Sequence, residues 1–391
     1  MGVGLYLIVA GTLITGAANS LFTKYQDNQC VSNCNNPDLS THRYFEQPAI
    51  QTLQMFVGEF SMFLVYYLVY KVGQSKRRGE YVRLNEQEEG QTEEIKEISI
   101  FSNIKLAIPA VCDLCGTTLL NIGLVYTPVS IYQMTRGTIV LFVAILSVIF
   151  LHRRISKLEW ISLFFVTLGV GLVGLSGSNN SSESGTGTTT GLIIFGMFLI
   201  VLAEILQAFQ FVVEEHILEK NKIIPLQLVY IEGFYGFSIL LAVMILLNFI
   251  IGFIQPAEQF QTSPFNMVEA FSEVFFNRAV LLSSICIMIS IAAFNYCGLS
   301  ITHRISATAR STVDTCRTLL VWIVAISMGW ETFQWLQFTG FAVLVFGTLC
   351  FNGVLKPEEW KFIPQGLKSD FNPNQRLIDV VDEIDEPIER L

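Results

Sequence analysis

Three charged side chains within one long apolar stretch of this sequence share a single helical face. Arg310, Asp314 and Arg317 are spaced i, i+4 and i+7, which places them on the same side of a helix. In an earlier apolar stretch Arg136 follows Gln133 by three residues, so these two side chains also share a face. Charges in such surroundings bind a polar or anionic group, exchange salt-bridge partners, or neutralise one another. The pattern favours static neutralisation for Asp314 and a polar cavity for Arg136, whose own stretch contains no acid.

Four further carboxylates, on four different predicted helices, could carry protons. A carboxylate in a partly dry cavity can load and release a proton during a transport cycle. Glu204 and Gln207 share a helical face and are interpreted as lining such a cavity. We expect Asp113 to pair with Arg136 on the adjacent helix of the same hairpin.

Glu59 and Glu232 lie at matching places in the two halves of the chain. Each could line a cavity or be solvated at a helix end, and the sequence leaves both readings open. The candidate residues for a substrate-binding or coupling cavity are therefore Glu59, Asp113, Gln133, Arg136, Glu204, Gln207, Glu232, Asn295, Arg310, Asp314 and Arg317.

The elements that must position these groups are predicted as membrane-spanning helices. Of the 391 residues, 52% are hydrophobic and 15% are charged, whereas soluble domains carry roughly 25% charged residues. About 20 apolar residues in a helix cross the hydrocarbon core. The sequence thus predicts an all-α polytopic membrane protein with ten transmembrane helices: Met1–Thr23, Gln51–Tyr70, Lys105–Val125, Ser130–Leu151, Trp160–Ser182, Gly191–Val213, Gly233–Pro256, Ala279–Thr302, Ile305–Gly329 and Thr332–Leu355.

The two halves of the chain resemble each other at nearly constant offsets. Glu59 matches Glu232 at an offset of 173, and Arg136 matches Arg310 at an offset of 174. Repeats with an odd number of helices must insert with opposite orientations, which is how many transporters are built. We therefore predict two inverted five-helix repeats, at 1–176 and 191–355, whose central seam is the expected substrate site.

The distribution of Lys and Arg predicts the orientation of the chain. Cytosolic loops retain basic residues, and with both termini in the cytosol only Lys24, Arg43 and Arg278 fall on the opposite side. This arrangement gives a lumenal loop at 25–49, an acidic cytosolic loop at 72–100, a lumenal linker at 177–190 and an acidic cytosolic tail at 356–391.

Short motifs in the loops agree with this orientation. Asn179 and Asn180 are candidate glycosylation acceptors in the lumenal linker. Cys30 and Cys34 lie in the first lumenal loop, where either a disulfide or a free pair is compatible with the sequence. In the cytosolic loop, Tyr81 followed by Leu84 fits a tyrosine-based sorting signal.

Other classes of site lack support in the sequence. The four His residues lie in loops or at helix ends, so neither metal-ligand spacing nor a midspan base for a hydrolase is present. We expect no enzyme activity, no cofactor or metal ion, and no nucleic-acid partner. The expected partners are a small-molecule solute, membrane lipids and protons, and a homodimer is left open.

Several motifs resemble those of known solute carriers. Residues 124–137, Phe150–Ile155 and Trp160 are similar to the drug/metabolite transporter pattern. A closer similarity to solute carrier family 35, subfamily F, is carried by Glu214-Glu215, Glu232-Gly233-Phe234, Ser306–Arg310, Asp314, Arg317-Thr318, Gly329–Glu331, Leu336-Gln337 and Asn352-Gly353.

The resemblance covers roughly residues 1–355 and implies a ten-helix carrier of endomembranes. It implies a lysosome or late endosome as the compartment, with the Golgi as the alternative. We expect secondary-active transport by alternating access around a central polar cavity. The substrate stays open between a nucleotide-sugar-like, a small organic and an amino-acid-like solute. The alternative function is a non-transporting membrane scaffold or regulatory protein with the same fold.

Overall fold

The structure is a computed structural model, and its described part covers most of the predicted spans. Among the candidate site and sorting residues, Tyr81, Leu84 and Gln133 lie outside the described residues. The described residues are 3–34, 42–45, 47–72, 104–127, 132, 135–152, 155–180, 190–221, 223–256, 260, 266–328, 333–351, 355, 359–360 and 364.

Almost all of the regular structure in this described part is helical. One short antiparallel hairpin is formed by β1 (Cys30–Ser32) and β2 (Arg43–Tyr44). A π-helical segment at Tyr67–Val72 follows α2, and 3-10 turns at Ile104–Leu106 and Arg136–Thr138 precede α3 and α4. The α-helices are α1 Val3–Asp27, α2 Pro48–Tyr66, α3 Ala107–Tyr126, α4 Ile139–Phe150, α5 Lys157–Asn180, α6 Thr190–Asn221, α7 Pro225–Ile254, α8 Met267–Phe276, α9 Arg278–Arg304, α10 Ala307–Ser327 and α11 Trp335–Phe351.

The surface and length of these helices identify an integral membrane protein. Within the described residues, six helices are long and apolar enough to cross a bilayer, namely α1, α2 with its extension, α3, α6, α7 and α9. Shorter apolar helices are formed by α4 with its 3-10 turn and by α11. Phe253 on α7 is 93% exposed, and large apolar side chains are stable in such positions when lipid surrounds them.

Two helices extend well beyond the limits predicted for their spans. Helix α6 continues past Val213 to Asn221, and α7 begins at Pro225, eight residues before the predicted start at Gly233. The predicted limits were set by Glu214, Glu215 and Glu232. These acids lie within the helices instead and are buried, so charge alone does not end a helix here.

Helix α5 also differs from the prediction at its carboxyl end. It continues through Asn179 and Asn180, so both glycosylation candidates lie in its last turn and not in a loop. The remainder of the predicted linker, 181–189, lies outside the described residues. Glycosylation of these asparagines stays a prediction.

Local sequence signals explain where several helices begin. Pro48 and Pro225 occupy the first turns of α2 and α7, where proline lacks only an N–H that has no helical partner. Ser156 and Glu159 form a capping box ahead of α5, in which the Ser156 N–H donates to Glu159 Oε2 at 2.6 Å. Ser306 accepts from the Ala309 N–H and caps α10, which fixes the helix that carries the three clustered charges.

The chain divides into two compact units, and unit 1 comprises Met1–Leu21, Cys112–His216 and Cys297–Leu391. In this unit α5 packs against α11, and α4 packs against α10. A Cβ added to Gly169 would lie 2.7 Å from the carbonyl oxygen of Gly340, and one added to Gly347 would lie 2.8 Å from that of Ser162. Glycine at both positions therefore lets α5 and α11 approach backbone to backbone.

Unit 2 comprises Phe22–Val111 and Ile217–Tyr296, and its main contact is between α2 and α7. A Cβ added to Gly233 of α7 would lie 2.4 Å from the backbone nitrogen of Phe60. A Cβ added to Gly58 of α2 would lie 2.8 Å from the Cα of Met288 on α9. Small residues thus bring α2 into close contact with two other helices of the unit.

One end of unit 2 is closed by polar contacts between the β-hairpin and α8. The structure contains a disulfide between Cys30 and Cys34, with Cα atoms 5.8 Å apart. The Asn277 side-chain amide donates to the Cys30 carbonyl oxygen at 3.0 Å, and Arg43 forms an ion pair with Glu273 at 2.8 Å. The loops after α1 and α7, both predicted to be lumenal, therefore lie at the same end of this unit.

The burial of Glu273 beside Arg43 predicts that the stability of the protein depends on pH. Burial raises the pKa of the Glu273 carboxyl above its usual value, against the opposing effect of Arg43. Between the usual and the raised pKa the folded protein holds a proton that the unfolded chain releases, so stability falls as pH rises through this interval. We expect the melting temperature of the detergent-solubilised protein to rise on acidification through the interval, and Glu273→Gln to weaken that rise.

The matched control is Glu269→Gln, because Glu269 lies farther from Arg43, at 3.9 Å, and is more exposed. This variant should retain the wild-type pH profile. An unchanged profile in Glu273→Gln would show that other groups determine the pH dependence.

Candidate functional site

Helix α6 supplies the acidic side chains around which the charged residues of unit 1 assemble. It has 32 residues, and Glu204 lies near its middle while Glu214 and Glu215 lie about three turns farther along. All three carboxylates are buried. A carboxylate at this depth needs an opposite charge or hydrogen-bond donors close by.

The first group of charges lies around Glu204 and is called the midspan group: Arg136, Glu204, Asp314 and Arg317. Arg136 Nε is 3.4 Å from Glu204 Oε1, and Arg317 Nε is 2.8 Å from Asp314 Oδ1. Glu204 also interacts electrostatically with Asp314 and Arg317. The four side chains therefore form one charged network with equal numbers of positive and negative groups.

Two further elements of unit 1 contact the midspan group. Arg317 lies next to α1, with its Nη1 atom 3.5 Å from the Gly16 carbonyl oxygen and 3.3 Å from Ser20 Oγ. The Tyr132 ring centroid lies 5.8 Å from Arg136 Cζ, within cation–π range. Gln207 is half-buried one turn along α6 from Glu204, and a Cβ on Gly116 of α3 would lie 3.3 Å from its Cγ.

The second group of charges lies toward the carboxyl end of α6 and is called the outer group: Asp113, Glu214 and Arg310. Arg310 Nη1 donates to Glu214 Oε2, and Gln210 Nε2 donates to Glu214 Oε1 at 2.8 Å. Asp113 interacts electrostatically with both Glu214 and Arg310, and it accepts from Thr117 Oγ1 at 3.4 Å. The outer group therefore carries one more negative than positive charge.

Arg310 is enclosed on two sides by features that suit a planar cation. The ring of Phe211 lies 4.0 Å from its Cζ atom, which is a close cation–π contact. On another side a Cβ added to Gly298 would lie 2.8 Å from Arg310 Nε. The absence of a side chain at Gly298 thus makes room for the guanidinium group.

Glu215 connects α6 to the start of α10. Its Oε2 atom accepts from the backbone N–H of Ala307 at 3.1 Å, the first residue of α10. The amino end of a helix carries a partial positive charge and free N–H groups, which compensate a buried carboxylate. Glu215 therefore has a structural partner in this unit.

The predicted cavity residues fall into different units. Asp113, Arg136, Glu204, Gln207, Arg310, Asp314 and Arg317 lie in unit 1, whereas Glu59, Glu232 and Asn295 lie in unit 2. In unit 2 the Asn295 side-chain amide donates to Glu59 Oε1 at 2.5 Å. Glu232 is buried on α7 next to Gly233, whose Cα lies against the α2 backbone at Glu59 and Phe60.

One predicted pairing is not the main contact of either residue. Asp113 was expected to neutralise Arg136, but Arg136 forms an ion pair with Glu204. Asp113 interacts more strongly with Glu214 and Arg310 of the outer group than with Arg136, and it accepts from Thr117 of its own helix. The prediction assumed pairing within one hairpin, whereas the actual partner lies on α6. The expected neutralisation of an arginine by Asp314 is found with Arg317.

Sequence reasoning missed several polar residues of the buried clusters. Glu214 and Glu215 were noted only as part of a family motif, because the predicted span ended at Val213. Ile217 and Leu218 are buried beyond them, and this continued apolar face could have indicated a longer helix. In unit 2 the Gln26 side-chain amide donates to Ser284 Oγ at 2.8 Å, a contact that no local signal in the sequence predicts.

The described residues offer no place for a metal ion built from three or more His, Cys, Asp or Glu side chains. The buried chemistry of unit 1 consists of guanidinium and carboxylate groups with amide and hydroxyl neighbours. Such groups can recognise charged or polar solutes without a cofactor.

Comparison with known protein families gives a match over more than half of the chain. The family described as nucleotide-sugar transporter matches residues 49–257. The match includes α2 to α7 and therefore contains Asp113, Arg136 and Glu204, together with Glu214 of the outer group.

Whole-chain relatives are found in fungi and mammals. An uncharacterized protein of Schizosaccharomyces pombe is 36% identical over 88% of this chain and 96% of its own length. Solute carrier family 35 member F6 of Mus musculus is 34% identical over 90% of this chain and 89% of its own length. The Homo sapiens protein of the same name is 32% identical over 90% of both chains. The subfamily resemblance noted in the sequence is thereby confirmed.

More distant similarities agree with this result. A UDP-galactose transporter of Schizosaccharomyces pombe is 31% identical over 25% of this chain and 27% of its own length. A protein known from a crystal structure is 10% identical, with a TM-score of 0.58, over 92% of this chain and 100% of that chain. The structural similarity concerns the fold alone.

The pairing of Arg310 with Glu214 generates a prediction about stability. Glu214→Ala leaves a buried guanidinium without its hydrogen-bonded partner, and such a loss costs about 3–5 kcal/mol. We expect a marked fall in melting temperature and in the yield of folded protein in detergent. Combining Glu214→Gln with Arg310→Met should recover part of this loss, because neither charge is then left alone.

Glu269→Ala serves as the control, since Glu269 forms a more exposed ion pair with Arg43. Exposed pairs contribute about 0–1 kcal/mol, so this variant should melt near the wild type. Equal melting temperatures for Glu214→Ala and Glu269→Ala would contradict a stabilising role for the Glu214–Arg310 pair.

Proposed function

We propose a transport mechanism for this chain, which belongs to the nucleotide-sugar transporter family and is a solute transporter of membranes. In this proposal it is a secondary-active carrier that exposes one solute site alternately to the two sides of an endomembrane. The observation that carries the proposal is the ion pair of Arg136 and Glu204 at 3.4 Å. Glu204 is buried near the middle of the 32-residue apolar helix α6, and Arg136 approaches it from the turn before α4.

The energetic argument concerns what these charges cost. Each ionisable side chain at the bilayer centre costs at least ~2.5–3.5 kcal/mol on insertion scales. The midspan group alone contains four such side chains, Arg136, Glu204, Asp314 and Arg317. The function of a scaffold protein does not require charged side chains at this depth. A carrier needs polar groups at the depth where its solute binds. We therefore favour transport over the scaffold function.

The packing of the helices supports an inverted repeat. Helix α2 packs against α7, α4 against α10 and α5 against α11. Each of these is a pair that the proposed repeat relates, since the partners occupy the same position in the two five-helix halves. Pairing of equivalent helices across a pseudo-twofold axis is a feature of transporters built from inverted repeats. The ten-helix topology itself is part of the proposal.

The orientation proposed here has both termini in the cytosol and the disulfide-bonded hairpin in an oxidising lumen. The division of Lys and Arg between the loops supports it, and so does the pairing of Cys30 with Cys34. We propose a lysosome or late endosome as the compartment, with the Golgi as the alternative. A homodimer stays a prediction.

Replacement of Arg136 tests the proposed site. Arg136→Ala removes a midspan charge, which eases membrane insertion but takes away a solute-binding group. We expect severe loss of transport with normal membrane insertion, and only partial activity in Arg136→Lys, because lysine lacks the planar fork of donors. Uptake of a broad metabolite mixture into proteoliposomes, analysed by mass spectrometry, provides the measurement. Full activity of Arg136→Ala would remove Arg136 from the transport mechanism.

Coupling to protons is tested at Glu204. If this carboxylate binds a proton in one state and releases it in the other, a pH gradient biases the cycle. Glu204→Gln keeps the size of the side chain but cannot titrate. We expect it to lose gradient-driven accumulation and to retain exchange of solute for solute. Net uptake and counterflow, measured at two lumenal pH values, distinguish these activities. Identical responses of variant and wild type to the gradient would exclude Glu204 as the coupling group.

A further inference from the structure

We propose that the midspan group binds a zwitterionic solute, one that carries an ammonium group and a carboxylate group a few ångströms apart. This inference rests on the proposed transport function and gives it a substrate class. Its chemical basis is the difference between the Arg136–Glu204 pair and the other two arginine–carboxylate pairs of unit 1.

In those other two pairs the charged atoms lie closer together. Arg310 donates a hydrogen bond to Glu214, whose second oxygen accepts from Gln210. Arg317 lies 2.8 Å from Asp314 and also contacts the Ser20 hydroxyl on α1. Both arginines thus contact protein groups on more than one side.

The pair of Arg136 and Glu204 is loosely made. Its atoms are 3.4 Å apart. Arg136 Nε lacks a hydrogen bond with the described residues, as do Arg310 Nε, Arg317 Nε and Asp314 Oδ1. Within the midspan and outer groups, Glu204 differs in that neither of its carboxylate oxygens has one. Glu204 is nevertheless completely buried. Buried charged groups without hydrogen bonds are rare in folded proteins and mark a position that a ligand can satisfy. The two carboxylate oxygens of Glu204 can therefore accept hydrogen bonds from a ligand donor such as an ammonium group.

Charge balance indicates that this ammonium comes with a carboxylate. The midspan group contains two arginines and two carboxylates, so its net charge is zero. A zwitterion preserves this balance, because its ammonium can donate to Glu204 while its carboxylate accepts from Arg136. A nucleotide sugar brings a diphosphate but no ammonium group, so it would leave the oxygens of Glu204 without a donor and add negative charge beside Glu204 and Asp314. The outer group would repel it further through the additional charge of Asp113.

The exposure of the pair is consistent with entry of a ligand from the arginine side. The Arg136 side chain is 14% exposed, whereas that of Glu204 is 1% exposed. Gln207 is half-buried one turn along α6, and the Tyr132 ring lies beside Arg136. These neighbours offer an amide and an aromatic surface to the remainder of the solute.

The test uses the full-length protein in proteoliposomes. The external solution contains the standard amino acids together with UDP-galactose, UDP-N-acetylglucosamine and GDP-mannose, and the vesicle contents are analysed by mass spectrometry. We expect one or more amino acids to accumulate several-fold above protein-free vesicles, with nucleotide sugars at background. Accumulation of nucleotide sugars alone overturns the inference and leaves transport standing. Accumulation of no solute overturns the inference and the transport function together.

Competition then assigns each charge of the solute to a residue. For the amino acid taken up, the competitors are its decarboxylated amine and its deaminated acid, and neither should compete with wild-type uptake as well as the intact amino acid. Glu204→Gln should reduce the preference for the amino acid over the deaminated acid. Arg136→Lys, which should retain partial transport, should reduce the preference over the amine, because a single point charge binds a carboxylate less well than the planar fork of arginine. Glu273→Gln, outside the site, should retain the wild-type order. Unchanged preferences in both site variants would overturn the assignment.

Discussion

The structure of unit 1 depends on one constraint, which is that a charge removed from water must have an opposite charge within a few ångströms. Arg136, Arg310 and Arg317 each lie against a carboxylate of α6 or α10. To supply these partners α6 must continue past Val213 at least to Glu214. Glycine at position 298 gives the guanidinium of Arg310 its space. The extension of α6 and the glycine at 298 thus serve charge compensation.

Much of the fold could be predicted from the sequence because lipid imposes a simple rule. Apolar stretches of spanning length must form helices, since the backbone has no other hydrogen-bond partner in the hydrocarbon region. That rule predicts where helices occur but not the residues at which they begin and end. The limits of α6 and α7 were misjudged because the predicted spans were ended beside the charged residues Glu214 and Glu232. The short helix α8, at Met267–Phe276, was missed because ten residues cannot span a bilayer.

The sequence predicted which residues could form the candidate site, but only some of the contacts between them. Spacing along α10 correctly places Asp314 beside Arg317, because a contact within one helix follows from its geometry. The partner of Arg136 lies on a different helix, so spacing along one helix could not predict it. It depends on how α6 packs against α4, and many polar residues on other helices were equally suitable by sequence. Glu214 shows the same limit, since its partner Arg310 lies 96 positions away.

Family membership and charge chemistry address different questions about this protein. A family match reports that the helices, glycines and loops are arranged as in its relatives, and one arrangement can serve many solutes. Selectivity depends instead on which charged groups are available for a ligand. In the described part of unit 1, Arg136, Arg310 and Arg317 are each paired with a carboxylate, and both oxygens of Glu204 lack a hydrogen bond. A solute that supplies only acceptors leaves those oxygens without a donor. The carrier therefore gains more from a ligand with both charges than from a polyanion.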